Sequence, residues 1–425
     1  MNKCTYESYI KILEEELLPA MGCTEPISVA YAAALARDTL GAMPERVEIS
    51  VSGNILKNVK SVVVPNTGGL KGVNTAAAAG IVAGDASKKL EVISCVTADD
   101  VQKIKTYLKS TIFTVEQSCS GCIFDISVKV FAGENYALVR IVGHHTNVVH
   151  IEKNGESLLN LAYESEEKDC CADAALLSVE GIVEFADIVK IADVEGIIGR
   201  QIKYNTEIAA EGLKNDYGAR VGKVLLSSFG DGVHNRAKAT AAAGSDARMN
   251  GCSLPVVIVS GSGNQGMTAS LPVIVYADYL KKSREELIRA LVVSDLVTVH
   301  LKSGIGRLSA YCGAVSAGCG AGSGICYLYG GRVQEISDTI CNAIAINSGI
   351  ICDGAKSSCA AKIASAVEAG LLGFEMSRHG SKFCGGDGIL EDCVESTIEN
   401  VGDIARNGMR ETDEEIIKLM IKNTK

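Results

Sequence analysis

The chain has 425 residues, 47% of them hydrophobic, which is enough to bury one large core or two ordinary ones. Its 41 basic side chains against 51 acidic ones leave a formal charge of -10, and this argues against a nucleic-acid binder, because phosphate contact needs a surplus of Lys and Arg on one face. Tryptophan is absent and aromatics are 5%, while 44 Gly against 6 Pro favours closely packed small-residue helices over an all-β sandwich.

Met1 to Glu16 reads as a polar amphipathic helix rather than a secretory leader, so a reducing cytoplasm is the expected compartment. There the 16 cysteines stay free or hold metal. Cys23-Thr24-Glu25-Pro26 precedes an apolar helical run, Ile27 to Leu40, with Thr24 as N-cap, Glu25 and Pro26 in the first turn and Gly41 after the end. Val47 to Val51 and Ser61 to Pro65 read as short strands ending in the turns Ser52-Gly53-Asn54 and Asn66-Thr67-Gly68-Gly69. The alanine-rich run Thr75 to Ala83 is expected to be helical.

From Leu90 the pattern changes to a strand (Glu91 to Cys95), a helix (Asp99 to Lys109) and three further strands (Phe124 to Phe131, Tyr136 to Gly143, Asn147 to Glu152), with the acidic run Glu164 to Asp169 as its far edge. Beyond Ser178 nearly everything reads as helix, with Gly-rich joints at Gly261 to Gly266, Gly304 to Gly306, Gly313 to Gly324 and Gly385 to Gly388. The most apolar window, Leu254 to Leu280, is broken by Ser260 to Gln265, which makes it core and not a membrane span. The expected fold is α+β: a mainly helical catalytic body (1–88 and 178–425) with an inserted small α/β domain (89–177).

Val256 to Gly266 looks like a strand followed by a G-x-G-x-x-G turn and a helix, but no second strand ending in an acidic residue follows, so the dinucleotide fingerprint is incomplete. A helix N-terminus reached through such a turn still offers N–H groups to a carboxylate, with Asn264 and Gln265 as side-chain donors. Cys119-Ser120-Gly121-Cys122 and Cys170-Cys171 lack the partner pair that zinc needs. His144, His145 and His150 read as a solvated sheet face.

Cys312, Cys352 and Cys359 are spaced C-x39-C-x6-C, each at or just after a Gly-bearing joint. Three thiolates match an iron–sulfur cluster with one iron left open, a Lewis acid rather than an electron relay. Spacing alone leaves Cys319, Cys326 and Cys341 as competitors. Cys23 stands before a helix N-terminus, where the dipole is expected to lower a thiol pKa and fit it to act as base, nucleophile or fourth ligand.

Met21-Gly22-Cys23-Thr24-Glu25-Pro26, Pro65-Asn66-Thr67-Gly68-Gly69, Ser260 to Gly266, Cys312-Gly313-Ala314, Cys352-Asp353-Gly354-Ala355-Lys356 and Gly408-Met409 together resemble the L-cysteine desulfidase family, which is related to the alpha chain of iron–sulfur L-serine dehydratases. The resemblance covers almost the whole chain. It implies a 4Fe-4S cluster on Cys312, Cys352 and Cys359 that degrades L-cysteine to pyruvate, ammonia and hydrogen sulfide, with Cys23 as the base for the α-proton or, alternatively, as a ligand. Asn66, Thr67, Asn264 and Gln265 are the expected substrate-binding residues, and Lys356 a group that tunes cluster charge. No pyridoxal phosphate is expected. L-serine is the rival substrate, and a cluster-bearing redox sensor or a structural subunit the rival class. A small-molecule amino acid is the expected partner, with neither nucleic acid nor membrane, and small-residue helices make a homodimer the default assembly.

Overall fold

In a computed structural model the structure describes residues 1–162, 174–306 and 308–422. Two sheets organise the chain. The larger has six strands, β2 (Arg46–Val51), β3 (Ile112–Gln117), β4 (Asp125–Ala132), β5 (Asn135–Val142), β6 (Val148–Lys153) and β7 (Glu156–Asn160), in the order β3-β2-β4-β5-β6-β7. Only β2 and β3 run parallel; every other neighbouring pair is antiparallel. The smaller sheet pairs β1 (Pro19–Met21) with β8 (Pro255–Val257), antiparallel, in the register Pro19↔Val257 and Met21↔Pro255.

The alternation of the larger sheet explains how it is covered. Val47, Ile49 and Val51 face inward from β2, as do Ile126, Val128 and Val130 from β4 and Val139 and Ile141 from β5, and all are buried. Helix Thr24–Leu40 lies against β4 and β5, with helix Val73–Ala83 packed beside it. The sheet is thus not confined to 89–177, since β2 inserts between β3 and β4 from the first segment of the chain.

Several expectations change. Glu91 to Cys95 is no strand: a 3-10 helix, Ala86–Glu91, runs into turns, and buried Val92 and Ile93 anchor them. The parallel partner of β2 is instead Ile112–Gln117, a mostly exposed edge strand that follows directly on helix Ala98–Ser110. Ser61 to Pro65 is reduced to an isolated bridge, Val63↔Lys71, because the chain turns straight back through Asn66 to Gly69. Ser52-Gly53-Asn54 opens a helix, Gly53–Val59, rather than closing a turn. The acidic run 164–169 and the pair Cys170-Cys171 lie outside the described residues.

The rest is helical, as expected, giving an α+β fold. Helices Val233–Met249, Gly263–Tyr279, Arg284–Ile305, Ala314–Leu328 and Cys359–Arg378 pack around one another through small residues. A Cβ placed on Gly318 would lie 2.3 Å from the Ala366 carbonyl oxygen, and one on Gly370 would lie 2.1 Å from that of Gly318, so helices Ala314–Leu328 and Cys359–Arg378 touch backbone to backbone. Among the described residues no helix is long and apolar enough to cross a membrane.

Candidate active site

The β1–β8 pair sets two loops side by side. Leaving β1, the chain passes Gly22 at φ +56°, where a Cβ would lie 2.1 Å from Cγ of Pro65, so only glycine lets the turn at 65–69 dock there. Cys23 is then the N-cap of helix Thr24–Leu40, a place expected for Thr24. The Thr24 hydroxyl instead donates to the Gly261 carbonyl at 3.0 Å, tying this turn to the Gly-rich loop that follows β8. A third and a fourth segment are bound to each other: Cys312 N–H donates to the Ile350 carbonyl at 2.8 Å and Cys352 N–H to the Ala310 carbonyl at 2.6 Å. Cys359 opens helix Cys359–Arg378, with its thiol 3.7 Å from the Gly354 carbonyl oxygen.

These segments enclose a cavity of about 110 Å³ lined by all four cysteines singled out from sequence, Cys23, Cys312, Cys352 and Cys359, together with Asn264 and Gln265. Asn66 and Thr67 are not brought to it. The Asn66 amide donates to the Ile93 carbonyl at 3.0 Å and the buried Thr67 hydroxyl to the Val64 carbonyl at 2.7 Å, so both side chains are spent holding the turn that supports Gly22. Lys356 is also outside the lining, ion-paired with Asp353 at 2.5 Å. The lysines that line the cavity are Lys57, Lys302 and Lys362. Among the competing cysteines, Cys319 and Cys326 are buried within helix Ala314–Leu328, where burial pushes both thiols up to about 12, and Cys341 meets Thr397. Cys119 and Cys122 sit between β3 and β4, away from the cavity.

The thiols are not equivalent. A hydrogen bond from Cys312 holds the Cys352 thiol well below its ordinary value against the opposing effect of burial, helped by Lys57, the Gly354 N–H and Lys362. The same bond, with burial, pushes Cys312 up, and burial raises Cys359. Cys23 departs from expectation: burial, and then the neighbouring Glu25 carboxylate, push its thiol well up, outweighing Arg248 and leaving no net lowering at this helix start. Its thiol donates to Glu25 Oε2 at 3.0 Å. Glu25 also accepts from Asn58 Nδ2 at 2.8 Å, and the Thr24 hydroxyl that donates to Gly261 lies 3.1 Å from its Oε2. Burial alone would raise that carboxyl, but His145, the Cys23 thiol, a backbone N–H and Arg248 outweigh it and keep it below the usual range.

Glu25, Asn54, Lys57, Asn58, His145, Arg248 and Lys362 are lining residues that the sequence reading did not assign to the site. His145 is 6% exposed and its ring stands edge-on to Phe124 at 4.9 Å, so it is a core residue of the cavity wall and not part of a solvated face. His150 does face outward on β6, beside Glu152 at 3.3 Å. Arg248 carried a usable signal, a charge ending the small-residue stretch Ala241 to Met249. Lys57 and Asn58 carried none once Ser52 to Asn54 was taken for a turn.

The donor set fits an iron–sulfur core. It is all thiol, the soft ligand such clusters take, and the basic side chains of Lys57, Arg248, Lys302 and Lys362 line the same cavity. Among the described residues no three His, Cys, Asp or Glu side chains converge on a point for a single ion, and the thiols instead share a cavity wall.

Residues 87–418 match the serine dehydratase alpha chain family. A UPF0597 protein of Desulfitobacterium hafniense (strain Y51) is 57% identical over 98% of this chain and 97% of its own length. UPF0597 proteins of Lachnoclostridium phytofermentans and Treponema denticola are 51% and 44% identical, covering 98% and 100% of this chain and 100% of each relative. The motifs that build the cavity wall beyond position 87 all fall inside the matched region, and the chain therefore belongs to the serine dehydratase alpha chain family.

Proposed function

We propose that the chain is an iron–sulfur-dependent lyase that converts L-cysteine and water to pyruvate, ammonia and hydrogen sulfide. The observation that carries this reading is the meeting of Cys312, Cys352 and Cys359 with a fourth thiol, Cys23, on one cavity. Cys312, Cys352 and Cys359 would hold a 4Fe-4S cluster, which when bound supplies a Lewis-acidic iron that no protein ligand occupies and that suits a soft sulfur leaving group.

The chain's own residues handle the proton. The α-hydrogen of an amino acid is a weak acid, and its removal needs a base already placed and dry. Cys23 meets both conditions: it is 2% exposed and aligned on Glu25 Oε2. With the thiol pushed up and the carboxyl held down, no thiolate stands at rest, and the thiol proton moves along that hydrogen bond to Glu25 in concert with the transfer of the α-proton to sulfur. Asn58 holds the carboxylate in line. The electron pair left on Cα forms the Cα–Cβ double bond as the Cβ–S bond breaks and sulfur departs with its pair. Aminoacrylate then tautomerises and hydrolyses in water. Asn264 and Gln265 hold the substrate from the N-terminus of helix Gly263–Tyr279.

L-serine is the second reading, favoured by the family match itself. The two are separated by reconstituting the protein with iron and sulfide without oxygen and comparing sulfide release from L-cysteine with pyruvate release from L-serine. Faster, air-sensitive sulfide release is the expected result. Pyruvate from L-serine alone would reassign the substrate, and no product from either would refute the lyase reading.

A further inference from the structure

Arg248, near the end of helix Val233–Met249, is 2% exposed on the cavity wall. Among the described residues it makes no hydrogen bond and no ion pair, and its Nε is buried without a partner. A Cβ on Gly263 would lie 2.5 Å from that Nε, so the second glycine of the Ser260 to Gly266 loop leaves the space the guanidinium fills. Its charge reaches Glu25 and Cys23, but its donors are unmet, and a buried guanidinium with unmet donors on a cavity wall is suited to receive an anion.

The same wall carries the opposite deficit. Asn54 Oδ1, Asn264 Oδ1 and Gln265 Oε1 are buried acceptors without donors. A Cβ on Gly313, the residue after Cys312, would lie 2.5 Å from Cδ of Gln265, so this amide too occupies space kept by a glycine. Glu25 feels the charge of Arg248 but makes no hydrogen bond or ion pair with it, so the guanidinium N–H groups stay available to a ligand. One fork of donors lacking an anion and three acceptors lacking donors are the complement of a zwitterion, whose carboxylate accepts at two oxygens and whose ammonium carries three N–H groups.

We propose that Arg248 receives the substrate's α-carboxylate and that the side-chain oxygens of Asn54, Asn264 and Gln265 receive its α-ammonium, so that the cavity selects zwitterionic α-amino acids whatever their leaving group. The assignment deepens the lyase reading and rests on it only in taking the ligand to be the substrate.

The test is calorimetric titration of the iron-loaded protein with L-alanine, which has no leaving group, and with cysteamine, which keeps amine and thiol but has no carboxylate. Arg248→Gln should weaken L-alanine by about 10- to 150-fold, the worth of a hydrogen bond to a charged group, and leave cysteamine unchanged. Should that variant not fold, Arg248→Lys keeps the charge without the fork and should weaken L-alanine while sparing cysteamine. Unchanged L-alanine binding, equal loss of both ligands, or no L-alanine binding by the parent protein overturns the proposal. A protein that binds L-alanine through Arg248 but eliminates from neither L-cysteine nor L-serine would sink the lyase reading and leave this one standing.

Discussion

Asp295 offers a test of how the helical body tolerates ionisation far from the cavity. It lies within helix Arg284–Ile305 with 0% exposure, and its Oδ1 accepts from Gln201 Nε2 at 2.8 Å. Its Oδ2 and the Gln201 Oε1 are both buried without partners. Burial pushes the carboxyl up to about 7, opposed by the Gln201 bond, against about 3.9 in an unfolded chain. The folded state therefore binds the extra proton between those values, and stability falls as pH rises from the lower to the higher one. Between pH 5 and pH 8 this amounts to about 3 kcal/mol. Asp295→Asn removes the titration and supplies an N–H for Gln201 Oε1. At roughly 2.1 cal/mol/K of unfolding entropy per residue, the melting temperature of the variant relative to the parent should rise by about 3 °C over that interval. Thermal melts of both proteins at half-unit steps of pH measure it. Parallel pH curves would show that Asp295 is already ionised, or compensated, in the folded protein, and would refute the reasoning.

Three predictions concern the site. Cys352→Ala should lose most of the iron taken up on anaerobic reconstitution, whereas Cys319→Ala, whose thiol is shut inside helix Ala314–Leu328, should keep it; iron and acid-labile sulfide analysis decides. Glu25→Gln should lower kcat by about 10²- to 10⁴-fold while iron content and the KM for L-cysteine stay near parental values, because it removes the proton acceptor and keeps the shape. Equal loss of iron in that variant would instead make Glu25 a support for the cluster. Gly22→Ala places a Cβ against Pro65 at a positive φ and should cost both melting temperature and turnover, with iron retained; full activity would show that the turn carrying Cys23 moves freely.

The helical body was legible where its signals are local: Glu25 and Pro26 in a first turn, Gly41 at a positive φ after Leu40, and Gly-rich joints at Gly261 to Gly266 and Gly385 to Gly388. Gly313 to Gly324, by contrast, is no joint but the body of helix Ala314–Leu328, its glycines serving close helix packing. The sheet was legible only where one face is buried. β4 and β5 alternate cleanly, while β3 pairs through its backbone at an edge and displays little pattern. The four thiols were legible as a set only through the resemblance of the segments that carry them to a known family, since spacing alone left Cys319, Cys326 and Cys341 as competitors. Their surroundings were not, since Glu25, His145 and Arg248 acquire meaning only through burial, and burial is a property of what other segments do. His145 shows this most plainly: a histidine in a turn reads as solvated until Phe124 and helix Thr24–Leu40 close over it.

The backbone contact between helices Ala314–Leu328 and Cys359–Arg378 bears on repair. Cys359 begins one of these rods and Cys312 stands two residues before the other. With main chain resting on main chain at Gly318 and Gly370, neither rod can slide or roll without a collision that no rotamer change relieves. The separation of those two thiols is then a property of the polypeptide and not of whatever they hold. In small zinc domains the metal is the fold, and its removal unravels the chain. If these thiols hold the proposed cluster, its loss on oxidation would leave an intact socket, and activity lost in air should return with iron, sulfide and a thiol reductant, on the timescale of assembly rather than of new synthesis.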